Sequence, residues 1–205
     1  TIDTASKQDF SDGIVAVGND VYAFMTRANY STAGENFAYT DVWKATNNAF
    51  PMTKVYDADS IAQPRVRAQA SKIVESGKIL SAYIFQPPPN WAGHTKFCPF
   101  NTATNTFDAL PVNKIEDYTE NFNCFPNETN MYRRPSDNNL VAVIRHDEYT
   151  GGVDTLFQTF KVSTDSGANF GTATSLQLSW GNKGGRVFSA IINGYVWFSG
   201  YHIAD

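Results

Sequence analysis

Short apolar runs alternate with small polar turns along this chain, and one such pair of runs recurs four times. Ile14-Val15-Ala16-Val17 passes through Gly18-Asn19-Asp20 into Val21-Tyr22-Ala23-Phe24. Ser71-Lys72-Ile73-Val74 passes through Ser76-Gly77 into Ile79-Leu80-Ser81-Ala82-Tyr83. The third copy is shorter on its first side, with Asp137-Asn138-Asn139 leading into Leu140-Val141-Ala142-Val143-Ile144. The fourth runs from Val187 to Ile192, turns at Asn193-Gly194 and continues as Tyr195-Val196-Trp197-Phe198. Gly and Asn between β-branched and aromatic runs are a hairpin signal, because tight hairpin turns need positive φ. No segment shows helical periodicity, so the pattern predicts an all-β chain.

A second hairpin follows each of the first three and ends on a phenylalanine. These are Trp43 to Phe50, Asn101 to Phe107 and Ser163 to Phe170. The whole pattern repeats at about 60 residues, a length that suits one structural repeat with loop insertions. Two hairpins per repeat make four strands, the content of one propeller blade. The predicted units span about 13–60, 70–115, 132–180 and 186–205, as three full blades and one inner hairpin. That count predicts a fragment of a β-propeller, with a β-sandwich of the same hairpins as the alternative. The segments 86–93 and 113–130 read as long inter-strand loops, where propellers commonly bind ligands.

The third outer hairpin resembles the Asp-box (BNR repeat) of sialidases, Ser-x-Asp-x-Gly-x-x-Trp/Phe, at Ser163, Asp165, Gly167 and Phe170. Asp165 can accept backbone N–H bonds in its own turn, Gly167 supplies positive φ, and Phe170 can return to pack between sheets. The first two outer turns lack the glycine and carry Asn47 and Asn105 instead, closer to kelch-like blades. The resemblance implies a sialidase-like propeller, with the Asp-box as a folding element.

Composition narrows the partners. The formal net charge is −4, with no basic stripe to attract nucleic acid or an anionic membrane. There is no apolar run long enough to span a bilayer, and no charged leader before an apolar stretch. Two cysteines, Cys98 and Cys124, read as unpaired thiols, with one disulfide as the alternative. His94, His146 and His202 are too scattered to form a metal site, and no cofactor motif is present.

Arginines and aromatics carry the candidate chemistry. Arg65 and Arg67 precede the second inner hairpin, Arg133 and Arg134 the third, and Arg186 the fourth. The sialidase resemblance implies arginines from several blades converging on a substrate carboxylate, which a guanidinium fork matches. The same arginines also suit ordinary inter-blade ion pairs. Asp147 and Glu148, just after a strand and beside His146, are candidate acid/base groups on a sugar, or a solvated loop. Trp91 and Tyr118 stand in the long loops as candidate sugar-stacking rings.

Three function classes follow. The first is a glycan-recognising propeller, such as a receptor-binding domain of a virion or phage tail protein, placed outside the cell or on a virion surface. The second is a sialidase-like glycoside hydrolase. The third is a structural propeller for protein contacts, as a homo-oligomer or within a larger parent chain. Fold alone does not choose among them.

Overall fold

The computed structural model describes residues 7–29, 37–57, 66–68, 72–85, 94–108, 113–117, 125–150, 153–175, 188–193 and 195–199. These form three antiparallel blades and the inner hairpin of a fourth. Blade 1 has the order β1 (Lys7–Val17), β2 (Asp20–Asn29), β3 (Phe37–Ala45), β4 (Thr53–Tyr56). In blade 2 the inner strand is interrupted: β5 (Val66–Ala68) and β6 (Ile73–Glu75) both pair with β7 (Lys78–Phe85). Its outer strand is also split, since β9 (Thr106–Phe107) and β10 (Asn113–Asp117) both pair with β8 (His94–Asn101). Blade 3 is β11 (Phe125–Arg133), β12 (Leu140–Thr150), β13 (Val153–Ser163) and β14 (Thr174–Ser175). The last hairpin is β15 (Phe188–Ile192) with β16 (Tyr195–Ser199).

The turns form as their residues require. Ser76 (φ 49°) and Gly77 (φ 75°) make the two-residue loop that joins Glu75 to Lys78. Outer turns without glycine use asparagine in the left-handed region: Asn47 (φ 52°), Asn48 (φ 57°) and Asn105 (φ 54°). In blades 1 and 2 the outer turn is tied to the inner turn beside it. Asn48 N donates to Asn19 O at 2.9 Å in blade 1, and Thr102 N donates to Gly77 O at 3.0 Å in blade 2. Ion pairs Lys44–Asp20 (2.7 Å) and Lys78–Asp108 (2.5 Å) strengthen the same end of each blade.

Side chains alternate across each strand, so every blade has one face for the preceding blade and one for the next. Tyr22, Phe24 and Val42 of blade 1 pack on Ile79, Tyr83, Cys98 and Phe100 of blade 2. Leu80, Ala82, Phe97 and Ile115 of blade 2 pack on Met131, Leu140, Ala142 and Ile144 of blade 3. Cys98 is buried in the first of these seams and forms no disulfide. Cys124 lies outside the described residues.

Four local readings of the sequence are corrected. The third inner hairpin is not short on its first side, nor does its unit start at about 132: β11 is a full nine-residue strand from Phe125. Its polar start and Pro126 hid it, and a register shift between Pro126 and Thr129 absorbs the misfit. The stretch 113–130 therefore contains β10 and the start of β11 rather than one loop. His146-Asp147-Glu148 does not follow a strand but lies inside β12, which runs to Thr150. Phe50 does not close its hairpin against a sheet. It is 71% exposed, whereas Phe107 and Phe170 do pack inward, on Tyr56 (centroids 4.9 Å) and Phe97 (6.2 Å).

Candidate functional site

Strand direction sorts the candidate residues between the two ends of the blades. The inner and outer hairpin turns share one end. The other end carries the starts of the inner strands and the joins between second and third strands. Arg133 and Arg134 lie at the turn end, because Arg133 closes β11 and Arg134 opens the loop to β12. Arg67 lies at the opposite end, in β5 across from Ile84. Asp147 and Glu148 also lie there, across from Leu156 and Thr155 of β13. Arg65, Trp91, Tyr118, Arg186 and His202 lie outside the described residues.

At the turn end both guanidinium groups are occupied. Arg133 grips Glu75 of blade 2 through Nε (2.8 Å to Oε2) and NH2 (2.6 Å to Oε1), and donates NH1 to Asn138 O at 2.8 Å. A fork on a carboxylate is the geometry a bound acid would need, and here a neighbouring blade supplies the acid. Arg134 pairs within its own loop with Asp137. That ion pair, together with Asn139, holds the Asp137 carboxyl down at about 2. Asp137 also accepts from Asn139 N at 3.2 Å and so fixes the six-residue loop.

The Ser163–Phe170 turn at this end is bonded within itself. Ser163 Oγ donates to Asp165 Oδ1 and accepts from Gly167 N, both at 2.8 Å. Asp165 accepts from Asn169 N (2.8 Å) and Asn169 Nδ2 (2.8 Å), which pulls its carboxyl to about 2. Gly167 has φ 92°, and a Cβ there would lie 2.3 Å from the Phe97 ring of blade 2. The turn is thus a wedge between blades, with the Ser163 and Asp165 side chains bonded inside it.

Between the two ends a polar seam runs through the contact of blades 2 and 3. His146, fully buried on β12, shares a 2.8 Å hydrogen bond between Nε2 and Thr159 Oγ1. Burial, and after it the charge of Lys161, pushes the imidazole pKa down to about 4. Lys161 is itself buried and donates to Ile115 O of blade 2 at 2.7 Å. A neutral imidazole sealed in this way orders the seam and touches no solvent-borne ligand. His94 opens β8 at the far end, opposite Phe85 and Asp117. Among the described residues no cluster of His, Cys, Asp or Glu could hold a metal ion.

Sequence reasoning missed Glu75 and Lys161. Glu75 had a usable signal: its separation from Arg133 is 58 residues, one repeat period, so the two stand at matching inner turns. Lys161 had none, since a lone lysine on a strand reads as solvated.

The strand order and face-to-face sheet packing define an all-β chain of propeller blades. No protein-family model and no curated protein matches the sequence. Among solved structures the chain is similar to the GH32 β-fructofuranosidase BmSUC1 of Bombyx mori, with TM-score 0.64 and 10% identity over 96% of this chain. It spans 43% of that enzyme's length. It is also similar to the GH43 endo-arabinanase of Bacillus licheniformis, with TM-score 0.40 and 10% identity over 93% of this chain and 87% of that one. At such identity the first likeness speaks for the fold.

Proposed function

We propose that this chain is a glycan-recognising propeller domain that takes its ligand at the end opposite the hairpin turns. One observation carries the reading: register sets Arg67 of blade 2 and the acid pair Asp147 and Glu148 of blade 3 at that same end. A guanidinium and carboxylates from neighbouring blades suit sugar hydroxyls and an acidic glycan. The arginines at the turn end are already committed to Glu75 and Asp137, which narrows the ligand surface to the other end. The likeness to a β-fructofuranosidase fold supports a glycan-related propeller. Receptor binding on a virion or tail protein, with a location outside the cell, is the biological form of this reading. Its Asp-box-like turn at Ser163, Asp165, Gly167 and Phe170 serves as a structural element.

Glycoside hydrolysis is the second reading; Asp147 and Glu148 hold consecutive positions of β12, on opposite faces of the sheet, so either acid would need a second carboxylate from another blade. A glycan array run with an assay for released sugar tests both. Binding without turnover is expected, with a loss of tenfold or more in Arg67→Ala (about 1.4 kcal/mol) and no change in Arg134→Ala. Turnover that disappears in Asp147→Asn or Glu148→Gln establishes the hydrolase instead. Absence of any glycan binding, or an equal loss in Arg134→Ala, overturns the proposal.

A further inference from the structure

Blades 2 and 3 meet in one seam, and that seam carries charged residues toward both ends. At the turn end Arg133 of blade 3 grips Glu75 of blade 2, and the nearest seam positions of blade 3 are the apolar Met131 and Leu140. Toward the far end the charges exchange blades. Arg67 holds the position across from Ile84, and Ile84 the position across from Thr95. Leu80 and Ala82, earlier in the same strand as Ile84, pack on blade 3, and so does Phe97, two residues beyond Thr95. Strand alternation therefore puts the row of Arg67, Ile84 and Thr95 on the seam face of blade 2.

The same alternation separates the two acids of β12. Ile144 packs on blade 2, and His146 and Glu148 follow it at steps of two, so Glu148 holds a seam-face position. Asp147 holds a position on the opposite face, with Leu156 across from it. The mouth of the seam is thus marked by one guanidinium and one carboxylate rather than by two carboxylates. Its interior also differs from the turn end. Thr95, Thr129, His146 and Thr159 are buried from the middle of the seam toward this mouth. Thr95 Oγ1 meets no hydrogen-bonding partner among the described residues. A buried hydroxyl left unmet costs stability, and a clasp between two charges, such as the one at the turn end, gives no reason to keep it. A water, or a ligand hydroxyl in its place, supplies the missing partner.

We propose that Glu148, and not Asp147, is the carboxylate that binds the ligand, that it acts with Arg67 across this mouth, and that the ligand is a neutral sugar. The inference rests on the glycan-recognising reading above and narrows it. A carboxylate accepts hydrogen bonds from sugar hydroxyls and a guanidinium donates to them, so the two together recognise adjacent hydroxyls without any charged substituent. An acidic sugar brings a second carboxylate beside Glu148, and like charges set together cost affinity. Thr95 marks the inner edge of the site, where it takes the water or hydroxyl that reaches furthest into the seam.

A glycan array with neutral and acidic members, followed by calorimetric titration of the strongest binder, tests the assignment, with circular dichroism melts to establish that variants are folded. Neutral glycans are expected to bind. Glu148→Gln should weaken them about tenfold, since hydrogen bonds to a charged acceptor are lost, and Asp147→Asn should leave them unchanged. Thr95→Val should weaken them a few-fold without lowering the melting temperature, because it deletes a hydroxyl that the folded chain leaves unmet. Three results overturn this inference and leave the glycan-recognising reading standing: a loss in Arg67→Ala with none in Glu148→Gln; an equal loss in Asp147→Asn; or binding of acidic glycans alone, tightened in Glu148→Gln. A Glu148→Gln protein that melts lower but binds as the wild type does identifies a structural clasp and also overturns it. Absence of any glycan binding defeats the underlying reading, and this inference with it.

Discussion

The seam between blades 1 and 2 and the seam between blades 2 and 3 use one topology with different chemistry. The first is centred on aromatic rings, with Thr26, Thr40 and Ser81 buried beside them and Lys72 donating to Ser81 at 3.1 Å. Phe100 sits at its centre with Tyr22, Phe24, Tyr56 and Phe107 around it at centroid distances of 6.1, 5.7, 6.3 and 5.2 Å, all edge to face. The second is aliphatic and threaded with polar groups: Thr95, Thr129, His146, Thr159 and Lys161 are all buried there. Edge-to-face ring pairs add stabilisation beyond area burial, about 0.5–1.5 kcal/mol each. Buried polar groups cost stability unless their hydrogen bonds are met. The titrating groups diverge in the same way. Burial, then Cys98 and Asp41, pushes the Tyr56 phenol up to about 12, out of range of ordinary pH, whereas His146 is pushed down to about 4. A blade contact can therefore be made insensitive to conditions or dependent on them without changing the strand plan.

Truncating the aromatic centre should break the comparison most severely. Phe100→Ala removes a fully buried ring from four edge contacts and leaves a cavity that β7 and β8 cannot close. A loss of about 4 kcal/mol is expected from denaturant unfolding, within the range for buried Phe→Ala. A loss under about 1 kcal/mol would mean that the ring network is not the centre of this seam.

Much of this frame is legible in the residues, and the exceptions have physical causes. Gly-Asn and Ser-Gly turns between β-branched runs marked the inner hairpins of blades 1 and 2 at once. The third inner strand was missed because Pro126, Asn127 and Glu128 interrupt its apolar pattern, and because a six-residue loop replaces the two-residue turn. The spacing of phenylalanines misled at Phe50, where the chain leaves the sheet and the side chain meets solvent. For the arginines, sequence order could not separate the start of an inner strand from its end. Strand direction alone sets Arg67 and Arg133 at opposite ends. Which acid fills a guanidinium fork depends on a neighbouring blade, so the Arg133–Glu75 pair became visible only with the sheets stacked.

Gly167 sharpens the comparison, because it shows how closely blade 3 approaches blade 2. Its φ of 92° is a conformation that a residue with a Cβ rarely adopts, and the Phe97 ring fills the space a methyl group would need. Gly167→Ala should cost about 3 kcal/mol, from backbone strain together with overpacking. Gly77→Ala is the matched control: its φ is also positive, but nothing lies within 4 Å of the added atom. It should cost about 1 kcal/mol. Equal losses in the two variants would show that backbone strain alone, and not the contact with Phe97, makes the glycine necessary.

His146 gives the seam its dependence on acid. In the unfolded chain an imidazole titrates near 6.5, and in the folded chain this one stays neutral down to about 4. Above the unfolded value neither state binds the proton, so the seam keeps its full stability. As pH falls through the interval from 6.5 to 4, the unfolded chain takes up a proton that the folded chain refuses, and stability declines throughout. Below the folded value both states are protonated and the loss is complete. The full shift corresponds to about 3 kcal/mol, and rearrangement of the protonated seam should reduce this to about 2 kcal/mol. Asp137 and Asp165, held near 2, lose their contribution only below the usual carboxylate value of 3.8, in a separate window. Glutamine can keep a hydrogen bond to Thr159 without titrating. Unfolding free energies of wild type and His146→Gln, measured from pH 7 to pH 4, should therefore diverge as the pH falls. Parallel curves would mean that the imidazole is already solvated and that the second seam is as indifferent to acid as the first.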